Sequence, residues 1–342
     1  MSYDGIVIGG GAAGIYAAIH AAKQGSRVLL LERNDRLGKK LLITGKGRCN
    51  VTNQCTAHEV LQNVPRNGRF LYSAMETHDP QAVCDFFEAA GCHLKTERGN
   101  RVFPVSDKSQ TVLEALKRQL QHYKVTVENA RCQEILRDEN GVCGVRTQLK
   151  TIPCKWVILA TGGLSYPTTG STGDGYRMAQ DLGHTVVPCE GSLVPLEIEG
   201  TDCPEMQGLS LRNVGVKLIN EKSKVLYKDF GELLFTHFGV SGPTILSASA
   251  HIKGNCSLHI DLKPALDEGK LNDRILRDLE MYRNRSMENA LTDLLPRSMI
   301  PVVLKRLRSS YQLVCPASRR ITKRSSMVLT LLFSRLRFSR EK

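Results

Sequence analysis

Tyr3-Asp4-Gly5-Ile6-Val7-Ile8-Gly9-Gly10-Gly11-Ala12-Ala13-Gly14 is the stretch on which the fold turns. It begins as a short apolar strand and ends in a G-x-G-x-x-G turn, and an Ala-rich helix runs on from about Ala12 to Gln24. Gly25 stands where a C-cap glycine belongs, and the strand Arg27 to Glu32 holds the continuous apolar run Val28-Leu29-Leu30-Leu31, suited to a strand covered on both faces. Strand, turn, helix, strand is the start of a βαβ unit. Within it Gly9 permits the tight turn, Gly11 lets backbone approach a pyrophosphate, and Gly14 lets the helix pack close to the strand. The amides of Ala12 and Ala13 open the helix, where unpaired N–H groups and the dipole favour phosphate. Glu32, 18 residues past Gly14, places a carboxylate where the ribose hydroxyls of an adenosine should lie, with Arg33 beside it.

The same half-site serves FAD and NAD, and the residues beyond Glu32 separate the two. A nicotinamide dehydrogenase normally continues into a second βαβ unit. Here the chain runs into Gly38-Lys39-Lys40 and then Thr44-Gly45-Lys46-Gly47-Arg48-Cys49-Asn50-Val51-Thr52-Asn53, a cationic, glycine-rich loop. Its backbone donors and fixed charges suit a flavin ring or its pyrophosphate. It is not a P-loop, because glycine comes after Gly45-Lys46 where Ser or Thr would bind magnesium. Far downstream, Trp156-Val157-Ile158-Leu159-Ala160 reads as a buried strand that ends in Thr161-Gly162-Gly163, small residues that let the chain return beside a cofactor. The stretch from Gly170 to Gly175, with Asp174, opens another helix.

Two further helices are punctuated clearly, one with Asp79 as N-cap, Pro80 in its first turn and Gly91 past its end, the other from about Ser109 to Tyr123. Between Val125 and Val157 several short strands, one turning at Asn140-Gly141, read as a β-meander inserted into an α/β domain. The expected organisation is a dinucleotide domain over 1–188, a β-rich domain over 189–263, a helical segment over 264–304 interrupted at Pro296 and Pro301, and a basic tail over 305–342.

Charge distribution argues against a polyanion binder. The net charge is +13, but Lys305 to Lys342 holds eleven Lys or Arg against one acidic residue, so the preceding 304 residues carry only +3. Eleven cysteines occur with no Cys-x-x-Cys, and the nearest pair, Cys49 and Cys55, has five residues between them. Free thiols in a reducing cytoplasm are expected, with neither a disulfide framework nor a metal site. The N-terminus leaves no room for an export signal, and no apolar run approaches the roughly 18 residues of a membrane span. Neither nucleic acid nor membrane is expected as a partner, and the oligomeric state is left open.

Gly38-Lys39-Lys40, the Thr44 to Asn53 loop, Ala160 to Gly163, Gly170 to Tyr176, and Glu232-Leu-Leu-Phe-Thr-His237-Phe-Gly-Val-Ser-Gly-Pro243 together resemble the bacterial NAD(P)/FAD-dependent oxidoreductases that include the aminoacetone oxidases and a bile-acid 3-oxo-4,6-dehydro reductase. The resemblance covers residues 1 to about 304. It implies an α/β fold: a Rossmann-like FAD domain of the two-dinucleotide-binding type, interrupted by a β-barrel-like domain and a small helical domain. It also implies that backbone near Cys132 meets the adenine, and that His237 lies toward the substrate side of the flavin, as a weak candidate for proton transfer. The expected activity is hydride transfer through FAD, from NAD(P)H to a small unsaturated or carbonyl substrate or from an amine to oxygen. Members of that family continue into a final segment with a Gly-Gly-Tyr-Asn helix beneath the flavin, which has no counterpart here. Lys305 to Lys342, with seven serines and no glycine, reads instead like out-of-frame translation departing between Lys305 and Arg324. The alternative expectation is therefore a truncated remnant that binds FAD weakly and turns over little.

Overall fold

A computed structural model describes residues 2–252, 254–311 and 336–339. The chain divides into two compact units, Met1–Pro188 and Cys189–Lys342.

The first unit contains ten strands: β1 (Gly5–Ile8), β2 (Val28–Glu32), β3 (Thr52–Asn53), β4 (Leu94–Glu97), β5 (Arg101–Pro104), β6 (Thr126–Asn129), β7 (Cys132–Asp138), β8 (Gly141–Thr147), β9 (Thr151–Pro153) and β10 (Trp156–Leu159). Four of them form a parallel sheet in the order β10-β1-β2-β6, with Gly5 opposite both Trp156 and Val28. The helix α1 (Ala12–Lys23) crosses from β1 to β2. Side chains of β1 and β2 alternate between two cores, as the pleat requires. Val7, Val28 and Leu30 pack against α1 and the helices Pro80–Ala89 and Ser109–His122. Ile6, Ile8, Leu29 and Leu31 pack on the other face, against the antiparallel sheet β7-β8-β9 and Met178 of the helix Asp174–Asp181. Each of these fully buried aliphatic side chains contributes about 2 kcal/mol, which explains why the apolar run in β2 is unbroken.

Three details differ from the sequence expectation. The first strand after Val125, β6, joins the parallel sheet at its edge and is not part of the meander, which comprises β7 to β9. The β10 strand, expected to be buried, is half-buried with Leu159 exposed, because it pairs only with β1. A third small sheet, β3-β5-β4, joins the last two residues of the glycine-rich loop to strands of the segment after it.

The second unit is built on β11 (Leu196–Glu197), β12 (Ser210–Asn220), β13 (Val225–Phe235), β14 (Gly239–Ser241), β15 (Cys256–Asp261) and β16 (Leu336–Ser339), in the antiparallel order β11-β14-β13-β12-β15-β16. Its core joins Val216, Phe235 and Ile260 of the sheet to Ile275 and Leu279 of the helix Glu268–Met281 and to Val303 and Leu307 of the helix Ile300–Tyr311. The second helix corrects the boundary drawn at residue 304. Ile300, Val303, Leu304 and Leu307 keep an apolar stripe at helical spacing. Lys305 pairs with Glu205 at 2.6 Å and Arg306 pairs with Asp202, and the helix itself runs to Tyr311. Pro301 sits in that helix's first turn, where its missing N–H is harmless, and does not interrupt it. Most of the remaining basic tail, 312–335 and 340–342, lies outside the described residues. No helix among those described is long and apolar enough to cross a membrane.

Candidate functional site

A cavity of about 1130 Å3 opens beside the C-terminal ends of β1 and β2, and every residue lining it belongs to the first unit. Its floor is the glycine turn. A Cβ on Gly9 (φ +112) would stand 2.4 Å from the Ala160 carbonyl oxygen, and one on Gly14 would stand 1.8 Å from that of Gly9. Packing therefore dictates both. Gly11 is different, since nothing lies within 4 Å of where its Cβ would be. Its backbone is extended, it is the N-cap of α1, and no side chain caps that end. The amides of Ala12 and Ala13 stand beneath open space, on exposed residues that line the cavity. Bare helix-end donors next to room kept clear by a glycine are what a diphosphate requires.

Glu32 ends β2 with its side chain buried. One carboxylate oxygen accepts from the Gly10 amide at 2.7 Å, and the other accepts from the Asn34 amide and side chain, both at 2.7 Å. The oxygen that accepts from Gly10 keeps capacity for a further donor, so Glu32 can accept a ribose hydroxyl while it locks the glycine turn. The residues present thus fit the adenosine diphosphate half of FAD.

Beyond Glu32, Arg33 and Arg131 each donate to the same Asp174 oxygen at 3.0 Å. Burial alone would raise the Asp174 carboxyl, but the Arg131 hydrogen bond and the charges of Arg131 and Arg33 prevail and hold it below the usual range. Cys132 lines the cavity next to Arg131, and burial pushes its thiol up to about 11. On the opposite wall, α2 (Lys39–Ile43) presents Lys39 and Lys40. Lys39 pairs with Asp35 at 2.8 Å, and Lys40 donates to the Ser165 carbonyl and the buried Ser171 hydroxyl, both at 2.7 Å. Thr44, Cys49, Asn50, Thr161 and Gly162 complete the set of expected residues that reach the cavity. Asn50 directs its amide nitrogen at the carbonyls of Thr52 and Val102, 3.0 and 3.2 Å away. Burial raises the Cys49 thiol, which leaves it a poor nucleophile.

Five expected residues do not line the cavity: Gly14, Gly45, Gly47, Arg48 and Gly163. Gly14 lies under the turn, and Arg48 turns to Glu97 and Asp107. His237 belongs to the second unit, exposed between β13 and β14 with its ring edge-on to Phe238.

Sequence reasoning missed Arg131 and Tyr16, and reached Ser171 only as part of the Gly170 to Gly175 stretch. Tyr16 sits on α1 one turn past the phosphate end, lines the cavity, and shares a 2.5 Å hydrogen bond with His78. Burial lifts its hydroxyl to about 12. Its position in G-x-G-x-x-G-Ile-Tyr was the only available signal, and the Ala-rich helix around it drew no attention to it.

The sequence matches the HI0933-like protein Rossmann domain over residues 3–258 and the HI0933-like protein barrel and H2TH domain over residues 190–329. Among curated proteins it is 30% identical over 307 residues to a 3-dehydro-bile acid delta(4,6)-reductase of Clostridium scindens, covering 87% of this chain and 74% of that protein. It is 30% identical over 300 residues to a ribosomal RNA dihydrouridine synthase of Escherichia coli, covering 87% and 72%, and 29% identical over 311 residues to one of Haemophilus influenzae, covering 89% and 74%. A two-domain match of this extent, over a cavity shaped for an adenine dinucleotide, makes the chain a member of the HI0933-like family of FAD-binding oxidoreductases.

Proposed function

We propose that this chain is an FAD-dependent reductase of small molecules bearing a carbon–carbon double bond conjugated to a carbonyl, with NAD(P)H as electron donor. The observation that carries the proposal is the uncapped N-terminus of α1 over Gly11, adjoining a buried carboxylate in one cavity. The direction of reaction is drawn from the relatives. A delta(4,6)-reductase of a 3-dehydro-bile acid and a dihydrouridine synthase both add hydrogen across a double bond polarised by a carbonyl. When bound, FAD supplies a two-electron carrier for such a reduction. The chain's own residues hold it: the α1 amides take the diphosphate, Glu32 the ribose, and Lys39, Lys40, Thr44, Cys49 and Asn50 the part beyond. The guanidiniums of Arg33 and Arg131 border the adenosine end. His237 remains a candidate proton donor to substrate.

The test is an absorbance spectrum of the purified protein after incubation with FAD, and then, anaerobically, with NADH or NADPH. Flavin bands that bleach and then recover on adding a 3-oxo-4,6-diene steroid support the proposal. Recovery only with uridine-containing RNA would replace the small molecule with a nucleic acid. Hydrogen peroxide formed from amines would reverse the direction. No retained flavin would remove the cofactor assignment altogether.

A further inference from the structure

Between Thr44 and Cys49, which face the cavity, the chain runs Gly45-Lys46-Gly47-Arg48, and none of these four lines it. Their backbone is unusual. Gly45, Lys46 and Gly47 are left-handed in succession (φ +56, +58 and +84), and Cys49 is left-handed again (φ +62). For Lys46 and Cys49 that region is sterically disfavoured, so the surroundings must impose it.

Arg48 is placed to do so. Its guanidinium donates to both oxygens of Glu97, at 3.0 and 2.9 Å, and to Asp107 at 3.0 Å. It also lies 4.0 Å from the centre of the buried Phe103 ring. Gly45 approaches that same ring closely enough that a Cβ there would stand 3.2 Å from it. Lys95 pairs with Asp107 at 2.5 Å, so the cluster balances two cations against two carboxylates and leaves no charge over for an anion. Glu97, Asp107, Phe103 and Lys95 all belong to or adjoin β4 and β5, part of a small sheet separate from the one that carries the glycine turn.

We propose that Arg48 is a positioning residue. Its attachment to Glu97, Asp107 and Phe103 holds the loop Thr44–Asn50 in the left-handed shape that turns Thr44, Cys49 and Asn50 to the cavity, and so governs flavin affinity without contact with the flavin. The inference rests on the FAD reading above, and the experiment separates the two.

Hydrogen–deuterium exchange is measured on the flavin-free full chain, and FAD affinity by fluorescence quenching, for the wild type, Arg48→Ala, and Arg48→Ala combined with Lys46→Gly. The Arg48→Ala variant is expected to exchange at least about tenfold faster across 44–50 while β1, β2 and α1 keep their wild-type rates. Its FAD affinity should fall about tenfold. Adding Lys46→Gly, which removes the steric objection to a left-handed residue, should recover about threefold or more of that affinity. Exchange that rises uniformly across the chain, affinity within twofold of wild type, or a loss that Lys46→Gly leaves untouched would each overturn the positioning role. A wild type that takes up no FAD would defeat the cofactor assignment, and loop exchange in the flavin-free protein would still decide whether Arg48 holds the loop.

Discussion

Gly11 and Gly14 stand three residues apart in one turn, and the same substitution at each should have opposite consequences. At Gly14 an alanine Cβ falls 1.8 Å from the Gly9 carbonyl oxygen, with Ala160 3.1 Å away, so α1 must move off β1. Overpacking of that kind costs about 1–3 kcal/mol or more, against a helix-propensity gain of at most about 1 kcal/mol. The flavin-free protein should lose about 2 kcal/mol of stability. At Gly11 the added Cβ meets nothing within 4 Å, and φ −81, ψ −176 suits alanine. The poorer N-cap and the stiffer unfolded chain roughly offset one another, which leaves a change within about 0.5 kcal/mol. The methyl group does, however, occupy the approach to the Ala12 and Ala13 amides. Displacing one charge-assisted hydrogen bond costs about 1.5–3 kcal/mol, or roughly 10- to 150-fold in FAD affinity. Urea titration of the flavin-free variants and fluorescence titration with FAD read the two effects separately. If Gly11→Ala bound flavin as tightly as wild type, no ligand would pass over that amide and the site would have to be sought elsewhere.

Glu32→Ala should weaken FAD binding by about 1.5–3 kcal/mol. It should also lower the melting temperature of the flavin-free protein, because the buried Gly10 amide loses its acceptor; unchanged thermal stability would contradict that bond. Acid should destabilise the first unit. The Arg48 hydrogen bond holds Glu97 low, and the Lys95 hydrogen bond holds Asp107 low; Asp174 is also depressed, its arginine partners outweighing its burial. Carboxyls depressed by folding stabilise fully above their ordinary values, 4.5 for Glu and 3.8 for Asp, and lose that contribution as pH falls through the folded values. Urea midpoints should therefore drop below about pH 4 in wild type, and the drop should be smaller in Asp174→Asn. Alkylation at mildly alkaline pH, read by peptide mass spectrometry, should label the exposed Cys189 first among the described cysteines. Cys132 and Cys203, pushed by burial to about 11 and about 12, should stay unmodified until the chain unfolds, and early labelling of either would refute their placement.

The legible part of the molecule was local in sequence. The turn, the helix it opens and the carboxylate at the end of β2 lie within 32 residues of the start, and their spacing alone encodes the geometry. The clustering of Arg33, Arg131 and Asp174 could not be read that way, since three segments, the outermost 141 positions apart, converge only through the parallel sheet. Arg48 misled for the same reason. A cation in a glycine-rich loop suggests a phosphate ligand, and its acidic partners Glu97 and Asp107 lie 49 and 59 residues on. Helix Ile300–Tyr311 outlasted its expected end because serines and basic residues in 305–342 obscured an apolar stripe that needs only Leu307 to continue. The strand β6 was grouped with its neighbours by composition, whereas its pairing with β2 is set by a crossover that local pattern does not reveal.

The Gly10 amide is satisfied by Glu32 of the same chain and needs no ligand as its partner, and neither group can sense what lies past the second phosphate. A receptor preassembled in this way greets ADP and FAD alike at that end, so uptake of the coenzyme in a cell becomes a contest with adenine nucleotides for a shared handle. Millimolar ADP should slow recombination of the stripped protein with FAD, and selectivity must then reside in the walls built by α2 and by Thr44 to Asn50.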